Sequence, residues 1–164
     1  MVILLFLALV SIIMALQGKL FPLILSSLLS LYILWDYVIH GTIPLAYRRL
    51  LNHDFTAAER AIDYVQKPEK LSNAMSAKYY AVKGMIAHHK DDFENAGHWL
   101  EVSLTFPQSD KKLRIMTLLT LTDIALIQKK NRKAKDFFNQ LDGMHIPKKL
   151  EPTLLKLEEH LNQL

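Results

Sequence analysis

The sequence predicts an all-α protein in two parts. A transmembrane helical hairpin over residues 1–40 is followed by an α-solenoid of three helix pairs with a C-terminal capping helix over residues 41–164. Three observations predict it. Of 20 basic and 16 acidic side chains, residues 1–39 contain one each, Lys19 and Asp36. Beyond them, a pattern of residues recurs at intervals of 38. No segment alternates apolar and polar side chains as a half-buried strand does. Cysteine is absent, which excludes disulfide staples, thiolate zinc sites and a cysteine nucleophile.

The hairpin rests on two apolar runs. Residues 1–16 are apolar except for Ser11, and residues 20–39 form a second run interrupted by serines and, late, by aromatics. A helix rises about 1.5 Å per residue against a bilayer core of about 30 Å, so the second run is long enough to cross and the first is at the lower limit. Gly18 supplies the turn, and Pro22 sits where a first helical turn tolerates it. A cleaved signal peptide fits poorly, because the start carries no charge and Leu16-Gln17-Gly18 is a poor cleavage site. Burial of both runs in a soluble core would leave too little polar surface to cover them. Lys19 is alone in the turn, whereas Arg48, Arg49, Arg60 and Lys67 follow the second span, so an integral membrane protein with its repeat domain facing the cytosol is expected. Tyr32, Trp35 and Tyr37 would form an interfacial belt, with Asp36 solvated among them.

The repeats come next. Asp54, Phe55, Ala58 and Ile62 recur 38 residues later as Asp92, Phe93, Ala96 and Leu100, and the same step again reaches Lys130, Asn131, Ala134 and Phe138. Upstream, Ala46, Gly84 and Thr122 hold equivalent places, all small. A period of this size signals stacked helical units that bury their faces against neighbours. Asp-Phe after a short polar turn predicts a helix start, with the carboxylate at the positive end of the dipole and the ring packed inward. Ala58, Ala96 and Ala134 mark close helix crossings. The predicted repeats cover about residues 42–72, 77–109 and 115–145. Gly41-Thr42 breaks the chain, Thr42 is expected to cap a first helix running to about Asn52, and Pro68, Pro107, and Gly143 with Pro147 close the pairs. About residues 150–164 form the capping helix, with Leu154, Leu155, Leu157 and Leu161 expected on one side.

The middle copy resembles the tetratricopeptide repeat family. Tyr80 stands where that family favours a bulky aromatic, Gly84 matches its glycine, and Phe93, Ala96 and Leu100 match its second-helix pattern. Lys83 in place of a leucine and Ala87 in place of a large aromatic depart from it, Pro107 is one residue short of the usual proline, and the period exceeds the family's usual length of about 34. The resemblance covers residues 42–145 at most. It implies a concave face, built from the first helix of each pair, that holds a partner peptide or helix. Its candidate residues are Tyr47, Leu50, Lys78, Ala81, Met85, His88, Leu119, Asp123 and Leu126.

No constellation for catalysis stands out, and the chain is expected not to be an enzyme and to need no cofactor or metal. The glycines are not spaced as a phosphate loop, and His88 and His89, adjacent on a helix, point apart, with His98 and Asp92 as the nearest further ligands. Lys129, Lys130, Arg132, Lys133 and Lys135 form the densest charge cluster, a patch for anionic lipid or an acidic partner. Without interleaved aromatics it is a poor nucleic-acid surface. The expected role is therefore a membrane-anchored interaction scaffold with a protein partner and with the lipid bilayer around residues 1–40. The alternative is an accessory subunit of a larger membrane complex, with the hairpin as interface and Ser26 and Ser30 sharing a face. Self-association through the capping helix is left open.

Overall fold

The computed structural model describes residues 41–107 and 110–163, together with Ile24, Ser27, Leu28, Leu29 and Leu31. Those five positions are helical. The rest of the expected hairpin lies outside the described residues. Among the described residues no helix is long and apolar enough to cross a membrane. These residues are all-helical, with no strand.

From residue 42 onward the elements are α1 (Thr42–Leu51), α2 (Phe55–Asp63), a 3-10 turn (Pro68–Lys70), α3 (Asn73–His89), α4 (Phe93–Thr105), α5 (Lys111–Ile127), α6 (Asn131–Asn139) and α7 (Glu151–Asn162). The sequence period is also a geometric one. Helices α3 and α5 begin and end 38 residues apart, as do the starts of α2, α4 and α6. At each tight turn the chain does the same thing. His53, Asp91 and Lys129 take left-handed backbone conformations, with φ of 61°, 59° and 56°. The amides of Asp54, Asp92 and Lys130 reach back to the carbonyls of Arg49, Ala87 and Ala125 at 3.0, 3.0 and 2.8 Å. The amides of His53, Asp91 and Lys129 reach Leu50, His88 and Leu126 at 2.9, 3.0 and 2.9 Å. This pair of bonds is the Schellman helix ending, built here three times without the glycine that usually supplies the left-handed residue.

The next helix starts at once, and its cap differs between copies. Asp54 accepts from the Ala57 amide at 3.1 Å and Asp92 from the Asn95 amide at 3.2 Å. Lys130 occupies the same position on α6 and offers no side-chain cap. Exchanging an aspartate cap for a residue that cannot accept costs about 1 kcal/mol. A cation there also opposes the helix dipole.

Packing follows the order of the chain. Residues of α1 to α5 share one buried cluster that includes Ile43, Ala46, Ala58, Val82, Leu100 and Leu121. Leu157 of α7 joins Ile115, Leu118, Leu119 and Leu141 in a second cluster. Ala58, Ala96 and Ala134 are fully buried. Gly84 is needed for space: a Cβ there would lie 2.6 Å from Leu100 Cγ and 3.1 Å from the Ala96 carbonyl oxygen. Gly143, by contrast, has open space around it and is needed for its φ of 75°. On α7, Leu157 and Leu161 are buried and Leu154 half-buried, but Leu155 is exposed. The expected common side for all four leucines is corrected accordingly. Positions 154, 157 and 161 follow helical spacing, and 155 is rotated about 100° from 154.

Candidate protein-interaction surfaces

The nine positions expected on the first-helix face divide sharply. Leu50, Ala81, Met85 and Leu119 are buried and belong to the core. Ala81 and Met85 on α3 and Leu119 on α5 belong to helices whose buried residues are spread round the helix rather than confined to one stripe, and Leu50 shares the buried side of α1 with Ile43 and Ala46. Tyr47, Lys78, His88, Asp123 and Leu126 are half-buried and remain accessible.

Those five include two joined pairs. His88 Nε2 lies 3.0 Å from Asp123 Oδ2, linking α3 to α5, and both side chains stay partly exposed. The edge of the His88 ring also meets Phe93, at 5.7 Å between centroids. Farther along, the Lys78 ammonium stands 5.8 Å from the Tyr47 ring centroid. The Tyr47 hydroxyl is buried with no hydrogen-bond partner among the described residues. Burial, and secondarily the negative charge of Asp110, push its pKa up to about 12. Asp110 itself caps α5, accepting from the Leu113 amide at 3.1 Å. Together these groups can make directional and charged contacts with a polypeptide. They include no pairing of nucleophile and base.

The histidines do not converge. His88 faces Asp123, His89 stacks on Phe55 at 3.8 Å and 11°, and His98 packs edgewise on Trp99 at 4.8 Å. Among the described residues no group of three metal-ligating side chains could hold an ion.

Two clefts went unanticipated by the sequence reading, and they are related by the same 38-residue step. One, of about 350 Å³, is bounded by Glu59, Lys83, Ala87, Lys90, Asn95 and Trp99. The other, of about 210 Å³, is bounded by Gly97, Leu121, Ala125, Gln128, Lys133 and Phe137, each 38 positions later. In the first, Lys83 stands 4.1 Å over the Trp99 ring and Lys90 pairs with Glu59. Tyr80 is sandwiched behind, stacked at 5.7 Å on Trp99 and at 5.7 Å on Phe106. The departure at position 83 thus has a local cause, since a lysine there gains a cation–π contact. The small Ala87 at the other departure leaves room for the cleft. The repeat register was the signal that would have located both clefts.

The basic cluster is wholly exposed: Lys129 holds the left-handed turn position, Lys130 the cap position, and Arg132, Lys133 and Lys135 lie on α6. Lys133 contacts Glu101 at 3.4 Å, and Lys130 donates to Gln128 Oε1 at 2.8 Å. No protein-family model, curated protein or solved structure matches the chain.

Proposed function

We propose that this chain is a membrane-anchored scaffold in which a tetratricopeptide-like stack of three helix pairs presents a first-helix face to a protein partner. The observation that carries this reading is the threefold recurrence of one helix–turn–helix geometry at His53, Asp91 and Lys129. Units repeated in that way expose a continuous face to which each contributes side chains. Lys78, His88 and Asp123 supply charge and hydrogen bonds on that face, and Tyr47 and Leu126 supply apolar area. Anchoring is supported by Ile24, Leu28, Leu29 and Leu31, which are helical and exposed. Exposed apolar side chains in a nearly uncharged segment suit contact with lipid.

The test is capture of the detergent-solubilised full chain with Lys78→Glu and Asp123→Lys, both at accessible positions. A partner held by the unaltered chain and lost by both variants, with helix content unchanged in circular dichroism, supports the reading. A partner retained by both rules out the first-helix face. Protease digestion of spheroplasts checks orientation: cleavage of the repeat domain only after permeabilisation supports a cytosolic domain, and cleavage in intact spheroplasts places it outside.

A further inference from the structure

We infer that the α5–α6 turn is a docking surface for an anionic lipid bilayer, an inference that rests in part on the membrane-anchored reading. The first argument is how charge is distributed. Residues 129–136 carry five cations, Lys129, Lys130, Arg132, Lys133 and Lys135, against one carboxylate, Asp136. The whole chain has a net charge of +4, so the remainder, with fifteen basic and fifteen acidic side chains, is neutral. All of the excess positive charge therefore sits in one exposed turn and the helix that follows it.

The second argument is that folding does not call for this charge. The same backbone is built three times, and the register positions can be compared directly. Positions 129, 130, 132, 133 and 135 correspond to Asp91, Asp92, Glu94, Asn95 and Gly97 in the second copy, and to His53, Asp54, Thr56, Ala57 and Glu59 in the first. One geometry thus accommodates an acidic turn twice and a basic turn once. In the third copy the capping aspartate is given up, and cations are placed at the end of the helix that disfavours them.

The chemistry fits a headgroup layer better than other anions. The cations lie on an exposed turn and helix face, and among the described residues Lys133 alone of them contacts a carboxylate, Glu101 at 3.4 Å. Ile127, two residues before the turn position, is exposed and offers an apolar side chain beside the cations. Clusters of this size are drawn to anionic leaflets within about a Debye length, roughly 8 Å in physiological salt.

The experiment uses the full chain reconstituted into phosphatidylcholine vesicles, with or without phosphatidylserine, and a membrane-impermeant amine reagent read by mass spectrometry. Phosphatidylserine is expected to lower labelling of Lys129, Lys130, Lys133 and Lys135 roughly threefold relative to Lys67 and Lys149, with recovery in about 0.5 M salt. The control variant combines Lys130→Asp, Arg132→Glu and Lys133→Asn, the residues of the second copy, so it keeps a sequence this backbone already accepts. In it, Lys129 and Lys135 should label equally on both vesicles. Equal labelling of the unaltered chain on both vesicles, or persistent protection in the variant, overturns the inference. Protection by soluble polyglutamate but not by phosphatidylserine also overturns it and assigns the surface to an acidic protein. Flotation separates this outcome from the anchoring reading. Failure to remain with phosphatidylcholine vesicles after a carbonate wash removes the hairpin, and salt-sensitive flotation with phosphatidylserine vesicles alone still supports the turn.

Discussion

Gly84 on α3 and Leu100 on α4 sit so close that the leucine Cγ is 2.6 Å from the point a Cβ at position 84 would occupy. The Ala96 carbonyl oxygen, at 3.1 Å from the same point, is backbone and cannot turn aside. Gly84→Ala is therefore expected to lower stability by roughly 1–2 kcal/mol, overpacking strain outweighing a gain of about 1 kcal/mol in helix propensity. In a Leu100→Ala background the closest clash is removed and only the 3.1 Å approach to the Ala96 carbonyl oxygen remains, so the same change should cost less. Denaturant unfolding of the four proteins gives this coupling, and additive effects would mean that the two positions do not share the crossing.

Lys129 carries its left-handed conformation at φ 56° with a full side chain. Lys129→Gly is expected to raise stability by about 1 kcal/mol, because glycine adopts that region without steric cost. Lys130→Asp should add roughly 1 kcal/mol by restoring a cap to α6. Thermal melts of the single and paired variants check both, and a fall in midpoint for either would contradict the turn geometry.

The Tyr47 hydroxyl is buried without a partner among the described residues, so Tyr47→Phe should stabilise the protein by about 1 kcal/mol at neutral pH. The sign of its pH dependence follows from the raised pKa. The folded state holds the phenolic proton to about 12, against 10.0 for an ordinary tyrosine, so the folded form binds more protons between those values. Stability linked to Tyr47 is complete below pH 10 and is lost as the pH rises towards about 12. Tyr47→Phe should flatten that part of the profile. Tyr79, raised by burial and by the nearby Tyr80 and Asp63, leaves a residual slope.

His88 and Asp123 join α3 to α5 through a partly exposed contact. A double-mutant cycle with His88→Ala and Asp123→Ala should give a coupling of about 0.5–1 kcal/mol from this hydrogen-bonded contact. A coupling within error of zero would leave the pair without a role in holding the two helices together.

Helix starts were legible because their cause is local. Asp54 and Asp92 cap helices where a short side chain follows a polar turn, and the small residues at 58, 96 and 134 mark crossings at a fixed interval. The left-handed turns were illegible because His53, Asp91 and Lys129 stand where glycine is the usual signal. The accessible face was only partly legible. An apolar stripe identifies a buried side when the rest of the helix is polar, as on α6, but on α3 and α5 the buried residues are spread round the helix and no single stripe marks them. Leu119 and Leu126 look alike in sequence, yet one is core and the other half-exposed. Pairing across 35 residues, as between His88 and Asp123, depends on how two helices are set side by side and leaves no local trace.

The identity of the three turns makes the molecule modular in the engineer's sense. Helices α3 and α5 enter and leave their turns in the same register, so a duplicated 38-residue cassette would meet compatible joints on both sides. The array can in principle be lengthened one unit at a time, while the charge on each turn is recoded independently of the backbone that carries it.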